Sequence, residues 1–183
     1  MNAKLIHGGD TGNTETFSGA IVPKNDIRIE TLGEMDELQS ILGIIRSLIK
    51  QKEIAKMLRD IQNDIRLIMG EIASVMPGIS NPNSVDETMI TKLDGAILKY
   101  QDQVELPKGF ITPGDDFNSA MFDLARTVTR RAERRVVAAY RVKVIQNPAV
   151  LKYLNRLSTL LYFLEIFEIK QAKNVRPKRD HSV

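Results

Sequence analysis

The chain has 183 residues, with 26 basic and 23 acidic side chains and a net charge of +3. That length suits one domain that buries about 70 % of the surface its unfolded chain exposes. The absence of cysteine excludes disulfides, zinc–thiolate sites, iron–sulfur clusters and a cysteine nucleophile, and two histidines, His7 and His181, argue against a His-rich metal centre.

Residues 1–26 read as a loop. Gly8, Gly9, Gly12 and Gly19 punctuate it, with Thr11, Thr14, Thr16 and Ser18 between them. Glycines let the main chain approach an anion closely, hydroxyls add donors, and Lys24 could supply a point charge to a phosphate. No GxxxxGK[ST] pattern is present, so this is not a Walker-type P-loop. A plain flexible polar end has the same composition, and both readings stand at this point.

The helical pattern begins next. Ile29, Leu32, Met35, Leu38, Ile41, Leu42 and Ile45 recur at steps of three and four, one face of a long helix. A second helix is predicted over 52–76, ended by Pro77-Gly78 and Asn81-Pro82. Ser84 and Glu87 have capping-box spacing, which starts a third helix near Val85. After the loop Phe110-Ile111-Thr112-Pro113-Gly114, a fourth helix carries Ala125, Val128, Ala132, Val136 and Ala139 on one stripe. Asn147-Pro148 opens a fifth helix, running to about Lys170 and apolar nearly all round, so it should be the buried one. No hairpin signal, repeat or low-complexity stretch is evident. The expected fold is all-α, a five-helix bundle with a four-helix core plus one. It divides into an arm (1–26), the bundle (27–172) and a basic tail (173–183).

The fourth helix concentrates charge. Arg126, Arg130 and Arg134 line up four apart, opposite the alanine stripe, with Arg131 and Arg135 beside them and Glu133 on the flank. Guanidinium forks suit bidentate binding of polyphosphate or carboxylate. A solvated face is the ordinary explanation of a charge run, but like charges four apart repel, and the expectation is that the ridge lacks alternating acids on its own helix. Glu34, Asp36 and Glu37 form an acidic cluster on the first helix. They suit the positive end of the helix dipole, or Asp36 could pair with an arginine of the ridge, within a subunit or across an interface. Asn155 and Thr159 stand one turn apart in apolar surroundings, either as core hydrogen-bonding groups or as ligand contacts.

In order along the chain stand GDTGNT, Lys24-Asn25-Asp26, Gly33-Glu34-Met35-Asp36-Glu37-Leu38, FITPG, Ala125-Arg126-Thr127 with Arg130-Arg131-Ala132-Glu133-Arg134, and Tyr153-Leu154-Asn155-Arg156-Leu157-Ser158. Over residues 4–168 this set resembles the ATP:cob(I)alamin adenosyltransferases of the propanediol-utilisation type. The resemblance implies a homotrimer with active sites between subunits. It implies MgATP on the arm, with Gly9, Asp10, Thr14, Ser18 and Lys24 near the phosphates and Arg130 and Arg134 contributing. Arg130, Glu133 and Asn155 would carry catalysis, Asp36 and Arg126 would bridge subunits, and Phe110 and Tyr162 would face the corrin. The implied reaction is attack of cob(I)alamin cobalt on the 5′ carbon of ATP, with triphosphate leaving. Such a reaction needs positioning and charge stabilisation and no activated nucleophile on the protein. A reductase and an adenosylcobalamin-dependent enzyme are the implied partners.

The chain departs from the family pattern at Ile6-His7-Gly8, where threonine-arginine-threonine is usual, at Thr159 (usually Asp) and at Ile166 (commonly Arg). The competing reading is a non-catalytic trimeric protein that holds ATP or corrinoid. A nucleic-acid binder fits less well, since aromatics make up 5 % of the chain, with no tryptophan to stack on bases. No segment approaches 18 apolar residues without charge, and the N-terminus lacks an apolar signal run. The expectation is therefore a cytoplasmic protein without membrane spans.

Overall fold

The structure, a computed structural model, describes residues 9–16, 19–73 and 84–175. Among them run two short strands, β1 (Asn13–Glu15) and β2 (Ile21–Pro23), and five helices: α1 (Ile27–Leu48), α2 (Lys52–Ala73), α3 (Glu87–Gln101), α4 (Phe117–Arg141) and α5 (Pro148–Val175). The helices lie where the apolar periodicity puts them.

The arm is not all loop. β1 and β2 pair antiparallel, with Thr14 opposite Val22. Gly19 takes φ 83° in the connection, a left-handed conformation that glycine adopts without strain. Thr16 closes the turn: its N–H donates to Ala20 O at 2.8 Å, and its Oγ1 accepts from Ala20 N–H at 3.1 Å. Strands of three residues are too short to show alternation, which is why the sequence hides this hairpin.

Four of the five helix starts are held by a side chain. Asp26 Oδ1 accepts from Arg28 N–H at 2.9 Å, and the Arg28 guanidinium folds back on the same carboxylate through two bonds of 2.8 Å. That pairing, against a smaller opposing effect of burial, lowers the Asp26 carboxyl to about 2. The predicted Ser84–Glu87 box does not form. Asp86 caps α3 instead, accepting from Met89 N–H at 3.0 Å. Ser84 is drawn away because its hydroxyl donates to Glu71 and accepts from Asn147 Nδ2 at 2.7 Å. Those bonds tie the end of α2 to the start of α5. Asp116 caps α4, and Asn147 Oδ1 accepts from Ala149 N–H ahead of α5, whose first residue, Pro148, lacks a donor there anyway. α5 runs to Val175, past both the predicted end at Lys170 and the tail boundary at 173.

α5 is the axis of the bundle. Leu154, Leu157, Leu160, Leu161 and Leu164 are all fully buried, and truncating one such leucine to alanine costs about 2–5 kcal/mol. α4 and α3 pack on α5, α1 on α4, and α2 on α1. On α4 the buried stripe is mostly small, with Ala125, Ala132 and Ala139 at zero exposure, so its neighbours approach closely. Gln39 and Gln62 lock α1 to α2, each donating its amide to the other's backbone carbonyl at 2.7 and 3.0 Å. Tyr153 Oη donates to Asp64 at 2.9 Å and links α5 to α2. Among the described residues no helix is long and apolar enough to cross a membrane.

Candidate active site

The five arginines at 126–135 of α4 divide by direction. Arg131 reaches α1 and pairs with Glu34 and Glu37, and Arg135 pairs with Glu30 at 2.8 Å. These contacts absorb most of the acidic cluster of α1. Asp36 takes no part: it is exposed and makes no ion pair with a described residue. Arg126 turns toward α5. Its Nε donates to Asp123 Oδ1 at 3.1 Å and lies 3.7 Å from Glu165 Oε2. The expectation that the ridge lacks acids on its own helix is therefore wrong for Arg126, since Asp123 precedes it by three residues. Arg130 and Arg134 remain. Both are exposed on the outer face of α4, without an ion pair to any described residue.

Beside them α5 presents Asn155. It is exposed and not enclosed in apolar surroundings as the sequence suggests, because positions 155 and 156 fall on the outer face of α5. Its Nδ2 donates to Glu133 Oε1 at 3.4 Å and its Oδ1 accepts from Arg156 at 3.2 Å. Arg156 in turn bonds Asp94 at 2.8 Å. Thus Glu133, Asn155 and the outward arginines share one polar surface. Thr159 returns its hydroxyl to Asn155 O at 3.2 Å.

The arm forms a second group. Gly12 N–H donates to Gly9 O, and Lys24 N–H to Gly12 O at 2.9 Å, so the glycine turn is fastened to the end of β2. The Lys24 ammonium lies over Gly9, where an added Cβ would come within 2.8 Å of Nζ. Gly9 and Lys24, paired in the sequence reading, are thus neighbours, with Asp10 and Thr14 in the same turn and strand. Ser18 and His7 lie outside the described residues. The hairpin rests at the α1–α2 end of the bundle, above a cleft of about 420 Å³ lined by Arg28, Leu32 and Ile72.

A cavity of about 780 Å³ opens between the loop 104–116 and the last turns of α5. Ile111, Pro113, Ile166 and Ile169 give it an apolar wall, and Asp115, Asp116, Lys170 and Lys173 a charged rim. Phe110 stands next to it, fully exposed. Tyr162 lies one turn before Ile166 on α5, its ring 5.7 Å from that of Phe163. The sequence reading missed Glu165 and Glu168, which are buried on α5. Two carboxylates three apart in the mostly apolar stretch 160–169 were the available signal. Among the described residues no group of three or more acidic or histidine side chains is placed to hold a metal ion.

An anion-ready face, a glycine hairpin and an apolar cavity suit an enzyme that brings a nucleotide to a bulky second substrate. The family profile described as cobalamin adenosyltransferase matches residues 5–168. A corrinoid adenosyltransferase of Citrobacter freundii is 34 % identical over 161 residues, covering 87 % of this chain and 91 % of its own. One from Bacillus subtilis is 32 % identical over 170 residues, covering 91 % and 85 %. Among solved structures, a phenylalanine-to-alanine variant of a PduO-type ATP:corrinoid adenosyltransferase from Lactobacillus reuteri, complexed with cobalamin and ATP, superposes with a TM-score of 0.82. It has 30 % identity and coverage of 91 % of this chain and 93 % of that one. An arginine-to-lysine variant complexed with ATP gives 0.81 at the same identity, covering 91 % and 94 %. The chain belongs to the cobalamin adenosyltransferase family.

Proposed function

We propose that the adenosyl transfer of this family runs here at a site shared between copies of the chain in a homotrimer. The reaction joins the 5′-deoxyadenosyl group of ATP to the cobalt of a reduced corrinoid and releases triphosphate. The arm of one copy, through Gly9, Asp10, Thr14, Ser18 and Lys24, holds the phosphates against the outer face of a neighbour's α4. There Arg130 and Arg134 neutralise the charge that builds on the departing triphosphate. Glu133 and Asn155, already in contact, orient the nucleotide. Mg²⁺ enters with ATP, bound mainly by phosphates and water. Asp36 of one copy bridges to Arg126 of the next.

The corrinoid occupies the cavity beside the loop 104–116. Phe110 and Tyr162 close on the corrin and keep water or a lower base off the cobalt, which eases reduction of Co(II). The protein supplies geometry and a dry slot, and the cobalt supplies the nucleophile. A reductase upstream, an adenosylcobalamin-dependent enzyme downstream and a cytoplasmic location belong to the same proposal.

The observation that carries this reading is the pair of outward arginines, without acidic partners among the described residues, beside Glu133 and Asn155. Left in water they gain nothing for the fold, whereas a polyphosphate uses both. The test is anaerobic incubation with ATP, Mg²⁺ and reduced corrinoid while the visible spectrum is followed. A cobalt–carbon product is expected. Binding of both substrates without that product would overturn the catalytic reading in favour of a carrier.

A further inference from the structure

Glu165 and Glu168 lie one turn apart on α5, 2 % and 4 % exposed. Glu168 is fully engaged, accepting from Gln51 Nε2 at 3.0 Å and from Asn118 Nδ2 at 3.1 Å. Glu165 is not. Its nearest cationic atom is Arg126 Nε at 3.7 Å, beyond hydrogen-bond length. Arg126 gives both Nε and Nη2 to Asp123, so one guanidinium stands between two carboxylates of its own protomer. With both acids ionised this half-buried group carries one net negative charge. With Glu165 protonated it is neutral.

We propose that Glu165 is a positioning residue for the adenosyl transfer, competing from inside its own protomer for Arg126, the arginine that the subunit bridge gives to the partner subunit's Asp36. The inference rests on that bridge. With Glu165 neutral, Arg126 answers one ionised carboxylate and keeps an edge open to solvent, its side chain being 30 % exposed. With Glu165 ionised, Asp36 would become the third carboxylate on one guanidinium, and their mutual repulsion opposes the contact.

The sign of the pH effect follows. Burial first, then the Asp123 charge, raise the Glu165 carboxyl to about 7, and Arg126 lowers it by less. The charged groups acting on it are Asp123 and Arg126 of α4. Glu168 follows on its own helix, and Asp116, at the head of α4, acts on Glu168. A contact that brings more negative charge to the cluster raises the proton affinity of Glu165. By linkage that contact tightens as pH falls through about 7 and loosens as pH rises.

The experiment follows subunit association and the KM for ATP, with pre-reduced corrinoid, from about pH 6 to about pH 8.5, with kcat recorded separately. In the unmodified chain association weakens and KM rises by up to about tenfold across that range, the factor that one unit of coupled pKa shift supplies, while kcat moves less. Glu165→Gln keeps the low-pH behaviour throughout, and Glu165→Asp restores a pH dependence. A Glu165→Gln profile like that of the unmodified chain overturns the proposal. Asp123→Asn gives a second arm: with one rival acid gone, the midpoint should fall, and an unmoved midpoint also overturns it. Infrared titration of the carboxylates, comparing the unmodified chain with Asp123→Asn, separates the two readings. If Asp36→Asn changes nothing yet a carboxylate titrates near neutrality, the bridge fails. If no carboxylate titrates there, Glu165 fails whatever Asp36 does.

Discussion

The two sides of α4 use the same residue for opposite ends. Toward α1, Arg131 and Arg135 meet Glu34, Glu37 and Glu30 across an antiparallel helix pair. Away from the core, Arg130 and Arg134 have no such partners among the described residues. Arginine on a helix is therefore not a sign of function by itself. What separates the two pairs is whether the neighbouring helix supplies a carboxylate at the right height, and that is set by packing.

The sharpest way to break this comparison is Arg130→Ala. Turnover should fall about a hundredfold or more, about 2.7–4 kcal/mol of transition-state stabilisation, as when one charge-stabilising donor is removed. Near-normal steady-state rates would place Arg130 with the merely solvated arginines. Phe110→Ala sharpens the comparison at the corrinoid end. Reaction from Co(II) should slow far more than reaction from pre-reduced Co(I), and equal losses would deny the exposed ring a part in reduction.

Smaller effects belong to the structural side. Tyr153→Phe leaves Asp64 without its donor and should cost about 1–3 kcal/mol of stability, read as a lower urea midpoint, with turnover unchanged. Arg131→Ala should cost about 1 kcal/mol or less, because its pairs are partly exposed, and the kinetics should stay as they are. A kinetic collapse there would erase the division between the two faces.

Acid and base should act on different carboxylates. Asp26 is lowered from 3.8 to about 2, so its contribution is full above the ordinary carboxylate range and is lost as pH falls toward 2. Glu165 is raised from 4.5 to about 7, so its contribution is full below the ordinary value and is lost as pH rises through 7. Thermal unfolding across pH should show the first slope vanish in Asp26→Asn and the second in Glu165→Gln.

Much of this molecule was legible in its residues. Apolar side chains at steps of three and four located all five helices, since burying one face is a local requirement on each. The buried character of α5 followed from its nearly continuous apolar surface, although Asn155 and Arg156 stand on an outer face, and the order of short motifs pointed to the family. Where local signals compete, the reading slipped. Ser84 had the spacing of a cap, but Glu71 and Asn147, distant in sequence, claimed its hydroxyl and left the cap to Asp86. The arm's hairpin escaped because three-residue strands carry no period.

Sequence alone thus determined which segments are helical, which faces are apolar and which charged side chains exist. Tertiary structure decided the partner of each charge: Arg131 with α1, Arg126 between Asp123 and Glu165, Asn155 with Glu133, and Arg130 facing outward. The reason is range. Helix periodicity depends on neighbours within two turns, whereas an ion pair between helices depends on the height and rotation at which two rods meet, and those are fixed only when the whole core packs.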